Sequence, residues 1–167
     1  MTTVRLGALA MLVPLLVGGC GDKSMTLSEA AVAKESSLEV RIGGAGEGGI
    51  TTVGLQAMIM PGVALLGVQT QTAGVTSTKP EKPVDAATVQ AAWAPLVQGA
   101  PDKLPEGKGF SLVARIGGKT ALDLQTTLAA ARGDAKLAQV VERLLALAAT
   151  THGEQAGLAK AAWQSAP

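Results

Sequence analysis

A long stretch without any charged side chain, residues 50–78, constrains the fold of this 167-residue chain more than any other feature. Its first part, Ile50 to Val68, is about as long as a membrane span. Three interpretations compete: two buried strands joined by a turn at Pro61-Gly62, a segment that crosses a bilayer, or two short buried helices. Glycine costs about 1 kcal/mol and proline about 3 kcal/mol in a helix interior, which disfavours one long helix. We predict two buried helices, with strands second and a span third.

Three sequence similarities indicate an internal duplication. The segment SLEVRIGG at Ser37–Gly44 returns as SLVARIGG at Ser111–Gly118, with six of eight positions identical. GGITTVGLQ after the first copy is matched by GGKTALDLQ after the second, and AAW at Trp93 is matched by AAW at Trp163. We therefore predict two degenerate pseudo-repeats. The first covers residues 37–98, a turn-rich linker covers 99–109, and the second covers 110–167.

The second pseudo-repeat is predicted to begin with a short strand, FSLVARI at Phe110–Ile116, which ends at two glycines. Thr120 with Asp123 three residues later is typical of a helix start. We predict a helix there, over residues 120–131.

The clearest helix signal in the chain covers residues 134–150. Asp134 can cap its first turn, and apolar residues then recur at the spacing of one helix face. Thr151 and Glu154 fit the spacing of a capping box and predict a last helix through Trp163. The apolar stripe of the first of these helices consists of Leu137, Val140, Val141, Leu144, Leu145 and Ala148.

The end of the first pseudo-repeat is predicted to be a loop followed by one helix. STKPEKP, residues 77–83, has the composition of a loop. Asp85 can cap a helix that continues toward Trp93, and Pro95 should stop it. The sequence thus predicts a mainly α fold with short β segments, built from two degenerate β-α-α-α pseudo-repeats.

The chain begins with a basic residue and an apolar run that lead to its only cysteine. Arg5 precedes the uncharged run Leu6–Val17, which has about the length of a signal-peptide core and is shorter than the ~20 residues of a membrane span. Gly18 and Gly19 then place small residues directly before Cys20. This arrangement resembles the lipobox of bacterial lipoproteins. An ordinary signal peptide and a buried core cysteine are the alternatives.

The resemblance implies that residues 1–19 are a signal peptide and that Cys20 becomes the acylated amino terminus. Palmitate-type chains on Cys20 would anchor the protein in a membrane, because each buried CH₂ contributes about 0.8 kcal/mol. Residues 20–36 would form a tether with a short helix. In lipoproteins of Gram-negative bacteria, Asp directly after the cysteine favours the inner membrane, and here that position is Gly21. The expected location is the inner leaflet of the outer membrane, facing the periplasm.

The composition argues against some classes of partner. Arg5 is the only charge in residues 1–19, so the rest of the chain has equal numbers of acidic and basic groups. A neutral chain is a poor electrostatic match for nucleic acid. There are no tyrosines, two tryptophans and one phenylalanine, so the core must consist mainly of aliphatic side chains.

Several residues could suggest a catalytic or cofactor site, but each has a simpler explanation. Gly44–Gly49 matches the pattern G-x-G-x-x-G of dinucleotide-binding proteins, yet no βαβ series follows it, so we interpret it as a flexible turn. His152 is the only histidine and has no clustered partner, which favours a solvent-facing position at a helix end. Asp123 and Asp134 stand where helix caps are expected. The sequence therefore predicts no catalytic residue, no metal site and no cofactor.

Trp93 and Trp163 are the candidates for contact with a partner, because they occupy equivalent positions in the two pseudo-repeats and tryptophan is enriched at binding hot spots. The alternative is that each indole fills the core of its own repeat.

The expected function is that of a lipid-anchored, periplasm-facing envelope protein, a non-enzymatic structural or interaction module. Its expected partners are the membrane, through the lipid on Cys20, and an envelope protein. The alternative is a membrane-active component of the pore or lysis type that uses residues 50–78. An enzyme is the third hypothesis.

The lipobox leads to a direct test on Cys20. We expect the full-length wild type to lose residues 1–19, gain the mass of its lipid and sediment with membranes, whereas Cys20→Ser stays unprocessed. Intact mass spectrometry and membrane fractionation of the two proteins measure this. Identical behaviour of the two would contradict the resemblance.

Overall fold

A computed structural model describes residues 35–46, 49–99, 101 and 103–165 of the chain. The predicted signal peptide, Cys20 and nearly all of the predicted tether lie outside these residues. Within them, six strands form one antiparallel sheet and four helices pack against it. The elements are β1 Ser36–Gly46, β2 Gly49–Met60, β3 Val63–Thr72, β4 Val75–Val84, α1 Ala86–Val97, β5 Gly109–Ile116, β6 Lys119–Thr127, α2 Leu128–Gly133, α3 Ala135–Thr151 and α4 Gly153–Gln164.

The uncharged stretch forms strands, so the prediction of two buried helices there was wrong. Its side chains alternate with a period of two, which is the period of a strand with one buried face. Pro61 and Gly62 make the turn between β2 and β3, as the interpretation with two buried strands had it, and Gly62 has a φ of 82°. The buried positions of β2 are Val53, Leu55, Ala57 and Ile59, and those of β3 are Ala64, Leu66 and Val68.

The sheet has the strand order β4-β3-β2-β1-β5-β6. The first four strands therefore form a meander, and the β5–β6 hairpin adds to its open side along β1. Strands β1 and β5 pair antiparallel from Ser36 opposite Ile116 to Ile42 opposite Phe110. This pairing joins the two halves of the chain into one sheet.

The two similar segments found in the sequence are neighbours in the sheet. Ser37 lies opposite Arg115 and Arg41 lies opposite Ser111, while Glu39 lies opposite Val113. A local twofold axis therefore passes through the Glu39–Val113 pair and relates each residue of one segment to its equivalent in the other. The arrangement is that of two related hairpins, β1–β2 and β5–β6, packed side by side.

The predicted fold class was wrong, because strands account for more of the described residues than helices do. After its first hairpin, the first half continues with a second hairpin and one helix, whereas the second half continues with three helices. Neither half has the order β-α-α-α. Most of the predicted helix over residues 120–131 is strand β6, in which Leu122 and Leu124 alternate with Asp123.

The predicted loop STKPEKP is part of β4, which pairs only with β3 and is an edge strand. Proline has no N–H to donate to a neighbouring strand. An edge strand tolerates it, because one side of an edge strand has no neighbour. The register shifts between Leu66 and Val68, opposite this proline-containing segment. A bulge in the pairing therefore accommodates Pro80.

Helix α1 is capped as predicted but does not end where predicted. The side chain of Asp85 accepts the backbone N–H of Thr88 at 2.9 Å. Pro95 lies inside the helix, which continues to Val97. Because Pro95 has no N–H, the carbonyl of Ala91 loses its usual helical partner, and the guanidinium of Arg143 from α3 donates to it instead.

Helix α3 confirms the sequence-based prediction most closely. The carboxylate of Asp134 accepts the backbone N–H groups of Lys136 and Leu137, each at 2.9 Å. All six residues of the predicted stripe are buried. Helix α4 runs through Trp163 as predicted, but its N-cap is His152 without a side-chain cap bond, so the predicted capping box at Thr151 does not form.

The helices cover one face of the sheet, and the buried side chains of the strands point toward them. The other face carries polar and half-buried side chains. At its centre, the carboxylate of Glu39 lies 2.7 Å from Arg41 and 3.5 Å from Arg115. The sheet therefore has one apolar face and one polar face, as antiparallel sheets commonly do.

The cap of α3 gives a stability prediction. Asp134→Ala should lower the free energy of unfolding by about 1 kcal/mol, because two backbone N–H groups lose their acceptor. Asp123→Ala removes an exposed carboxylate from β6 and should change it by less than about 0.5 kcal/mol. Urea denaturation of both variants measures the difference, and equal effects would contradict the assignment of Asp134 as the cap.

Candidate functional site

Trp93 lies in the core, between α1 and the sheet. Its side chain is 0% exposed, and its indole N–H is buried without a hydrogen-bond partner among the described residues. An unpaired buried donor is costly, about 1–3 kcal/mol, so the packing of the large ring must compensate for it. The structure thus places Trp93 where a partner could not reach it without opening the fold.

Trp163 also packs in the core, but nearer the surface. It is 7% exposed, and its ring lies 5.9 Å from that of Phe110 between centroids, at an angle of 52°. Its edge borders a shallow depression of about 390 Å³. Contact of Trp163 with a partner stays a prediction. The other residues around the depression are Arg132, Glu142, Leu145, Lys160 and Gln164.

His152 is buried, which corrects the expectation that it faces solvent. It stands at a helix end as expected, between α3 and α4, but it is only 4% exposed. Its Nε2 lies 3.0 Å from the carbonyl of Pro80, and its Nδ1 lies 2.9 Å from the hydroxyl of Thr151. Since a carbonyl can only accept, we assign the proton to Nε2. The imidazole thereby connects the α3–α4 junction to strand β4.

The two candidate aspartates and the candidate glycine segment each have a place in the secondary structure. Asp134 caps α3, whereas Asp123 is exposed on β6, so their roles are separate. Gly44–Gly49 contains the β1–β2 hairpin connection, with Gly46 opposite Gly49 and residues 47–48 outside the described part. A dinucleotide site would require a helix after this glycine segment. An antiparallel strand follows it instead.

A surface groove between α1 and α3, which we call the α1–α3 groove, is larger than the depression beside Trp163. Its volume of about 730 Å³ is within the range of small-molecule sites. Leu147 and Val84 give it an apolar floor, and the small side chains of Ala91 and Ala146 leave it open. The other residues that line it are Pro83, Asp85, Thr88, Arg143, Thr150 and Thr151.

Two contacts between distant parts of the chain border this groove. At one end, Arg143 donates to the carbonyl of Ala91, which Pro95 leaves free. At the other end, Lys82 from β4 donates to the carbonyl of Thr151 at 2.5 Å. These contacts hold α1, α3 and β4 in place around the groove. No local sequence pattern indicates the groove, because its walls come from segments more than fifty residues apart.

The hydroxyl groups around the α1–α3 groove already have hydrogen-bond partners nearby in the chain. Thr88 donates its hydroxyl to Asp85 at 3.0 Å, and Thr150 donates to the carbonyl of Leu147 at 2.8 Å. The hydroxyl of Thr151 donates to Nδ1 of His152 at 2.9 Å in the assigned tautomer. A ligand would therefore meet a mainly apolar surface, with the charges of Asp85 and Arg143 on its rim.

No group of three His, Cys, Asp or Glu in the described ranges could hold a metal ion. Within the same ranges, no helix is both long and apolar enough to cross a membrane. The chain matches no known protein family, no curated protein and no solved structure.

The burial of the two indoles can be measured separately. In Trp163→Phe, Trp93 is the only fluorophore, and we expect blue-shifted emission that acrylamide quenches weakly compared with the same protein in urea. In Trp93→Phe, Trp163 should be quenched more strongly, because its ring borders an open depression. Strong and equal quenching in the two folded variants would contradict the placement of Trp93.

Proposed function

We propose that the protein is a lipid-anchored domain of the cell envelope that binds a partner protein and does not catalyse a reaction. The lipobox-like sequence at Cys20 supports the anchor. The α1–α3 groove carries the binding role, because it combines an apolar floor with a charged rim. An amphipathic helix or short apolar segment of another envelope protein suits this surface.

The composition of the groove favours a helical partner. Ala91 and Ala146 are small and exposed on neighbouring helices, so the backbone of a third helix can approach closely. Leu147 and Val84 line the same groove and can contact apolar side chains spaced at helical intervals, as in other helix-in-groove complexes. Complementary charges opposite Asp85 and Arg143 would set the direction of the bound segment.

The groove is a better binding surface than the polar face of the sheet. On that face the central carboxylate, Glu39, is already paired with two arginines. The aliphatic part of Arg41 also covers Gly54, since Cγ of Arg41 is 3.9 Å from the position of a Cβ built on this glycine. A partner on this face would have to displace these contacts, whereas the groove is open.

The alternative function, a membrane-active component of the pore or lysis type, stays a prediction. In the structure, the stretch on which it rests, residues 50–78, forms part of β2, all of β3 and the first part of β4. Alternate side chains of β2 and β3 pack beneath the helices. Besides insertion into a membrane, burial of these side chains is therefore a second reason for the lack of charge in those strands. A charged side chain on the buried face would be costly.

The groove can be tested with a photo-crosslinking amino acid at position 146 of the full-length protein, with position 139 as a matched control. Both residues are exposed on α3, but only Ala146 lines the groove. We expect a specific protein adduct from position 146 that position 139 does not give. The adduct identifies the partner, which is then purified for binding measurements.

In the second step, Ala146→Glu should weaken binding of that partner by at least about tenfold, because a charge would face the apolar floor of the groove. Gln139→Glu should leave the affinity unchanged. Calorimetry measures the affinities, and circular dichroism shows that α3 is intact. Equal adducts from both positions, or equal affinities of the two variants, would overturn the role of the groove.

A further inference from the structure

The tip of the β2–β3 hairpin, Met60-Pro61-Gly62-Val63, is an exposed apolar surface that the proposed binding role does not use. Met60 and Val63 are each 38% exposed, and Pro61 and Gly62 are exposed as well. Met60 and Val63 pair across the turn and lie next to each other. We call these four residues the hairpin tip.

The chain enters the sheet beside the hairpin tip. Ser36, at the start of β1, lies opposite Ile59, one residue before the tip. On its other side, the N–H of Gly117 in the β5–β6 turn donates to the carbonyl of Glu35 at 2.9 Å. The segment that comes from Cys20 therefore reaches the domain at the end of the strands where the hairpin tip lies.

We propose that the hairpin tip contacts the surface of the lipid bilayer and orients the domain on the membrane. The inference rests on the proposed lipid anchor at Cys20. A fully extended segment from Cys20 to Glu35 could span roughly 50 Å, so the anchor alone does not fix the orientation. The tip supplies a second point of attachment, since exposed apolar side chains near a bilayer partition into its interface.

The contact is apolar rather than electrostatic. The described charged residues at the hairpin-tip end of the strands are two acidic and two basic ones, so their charges cancel: Glu35, Asp85, Arg115 and Lys119. Neutral phosphatidylcholine vesicles are therefore a sufficient probe, and the contact should be insensitive to salt, because counterions screen only charge interactions.

The opposite end of the strands provides a matched control. Val75 follows the β3–β4 turn and is 72% exposed, more than either apolar residue of the hairpin tip. If exposure alone decided which valine meets the bilayer, Val75 would do so. If the position of the tether decides, Val63 meets the bilayer and Val75 stays in water.

The experiment compares Val63→Cys with Val75→Cys in the full-length protein, each labelled with the environment-sensitive fluorophore NBD. Acylation of Cys20 leaves the introduced thiol as the only one to label. After reconstitution into phosphatidylcholine vesicles, we expect blue-shifted emission at position 63 and loss of emission with shallow spin-labelled lipids. At position 75 we expect neither change.

Intact mass of the same preparations tests the anchor separately. If Cys20 is acylated and both labels stay in water, or both enter the bilayer, the orientation by the hairpin tip is overturned while the anchor stands. If the mass shows an unmodified Cys20, the anchor is overturned, and the same labels are compared in the Cys20→Ser background. There, a bilayer signal at position 63 alone still supports the tip, and equal signals at both positions overturn it.

Discussion

The pairing of β1 with β5 is the contact on which the rest of the structure depends. It joins residues 68 to 80 positions apart and places β1, the first strand of the described residues, inside the sheet. Leu38, Val40 and Ile42 are fully buried as a result. Without this pairing, the four-stranded meander would have an exposed edge at β1, and the β5–β6 hairpin would be an isolated two-stranded unit, which is only marginally stable in water.

The asymmetry of the two sheet faces follows from this arrangement. Because the helices lie on one face, more buried and more exposed side chains must alternate over much of the length of every described strand except the exposed edge strand β4. The helices are then connected to one another and to the edge strand by a few polar contacts. Arg143 reaches the carbonyl that Pro95 leaves unpaired, and His152 holds the α3–α4 junction against Pro80. The α1–α3 groove exists because these contacts hold the helices in place beside β4.

Local patterns predicted the elements whose signal lies within a few residues. Helix α3, its cap at Asp134 and the strand β5 agree with the sequence, because a stripe at helical spacing, a capping carboxylate and a short β-rich run between glycines are local features. The helical interpretation of residues 50–68 failed for a physical reason. A short apolar run satisfies both a buried strand and a buried helix, and its length and composition alone do not separate them. The alternation of Val53 and Leu55 with Gly54 and Gln56 was the signal that could have decided it.

The sequence by itself determined the caps of α1 and α3, the similarity between the two halves and the resemblance to a lipobox at Cys20. Each of these depends on the order of residues along the chain. Only the tertiary structure decided that the two similar segments pair with each other, that STKPEKP is an edge strand, and that His152 is buried. It also decided the position of the groove and of the hairpin tip beside Glu35. These features depend on which distant segments meet, and that is set by burial of one common apolar face rather than by any local pattern.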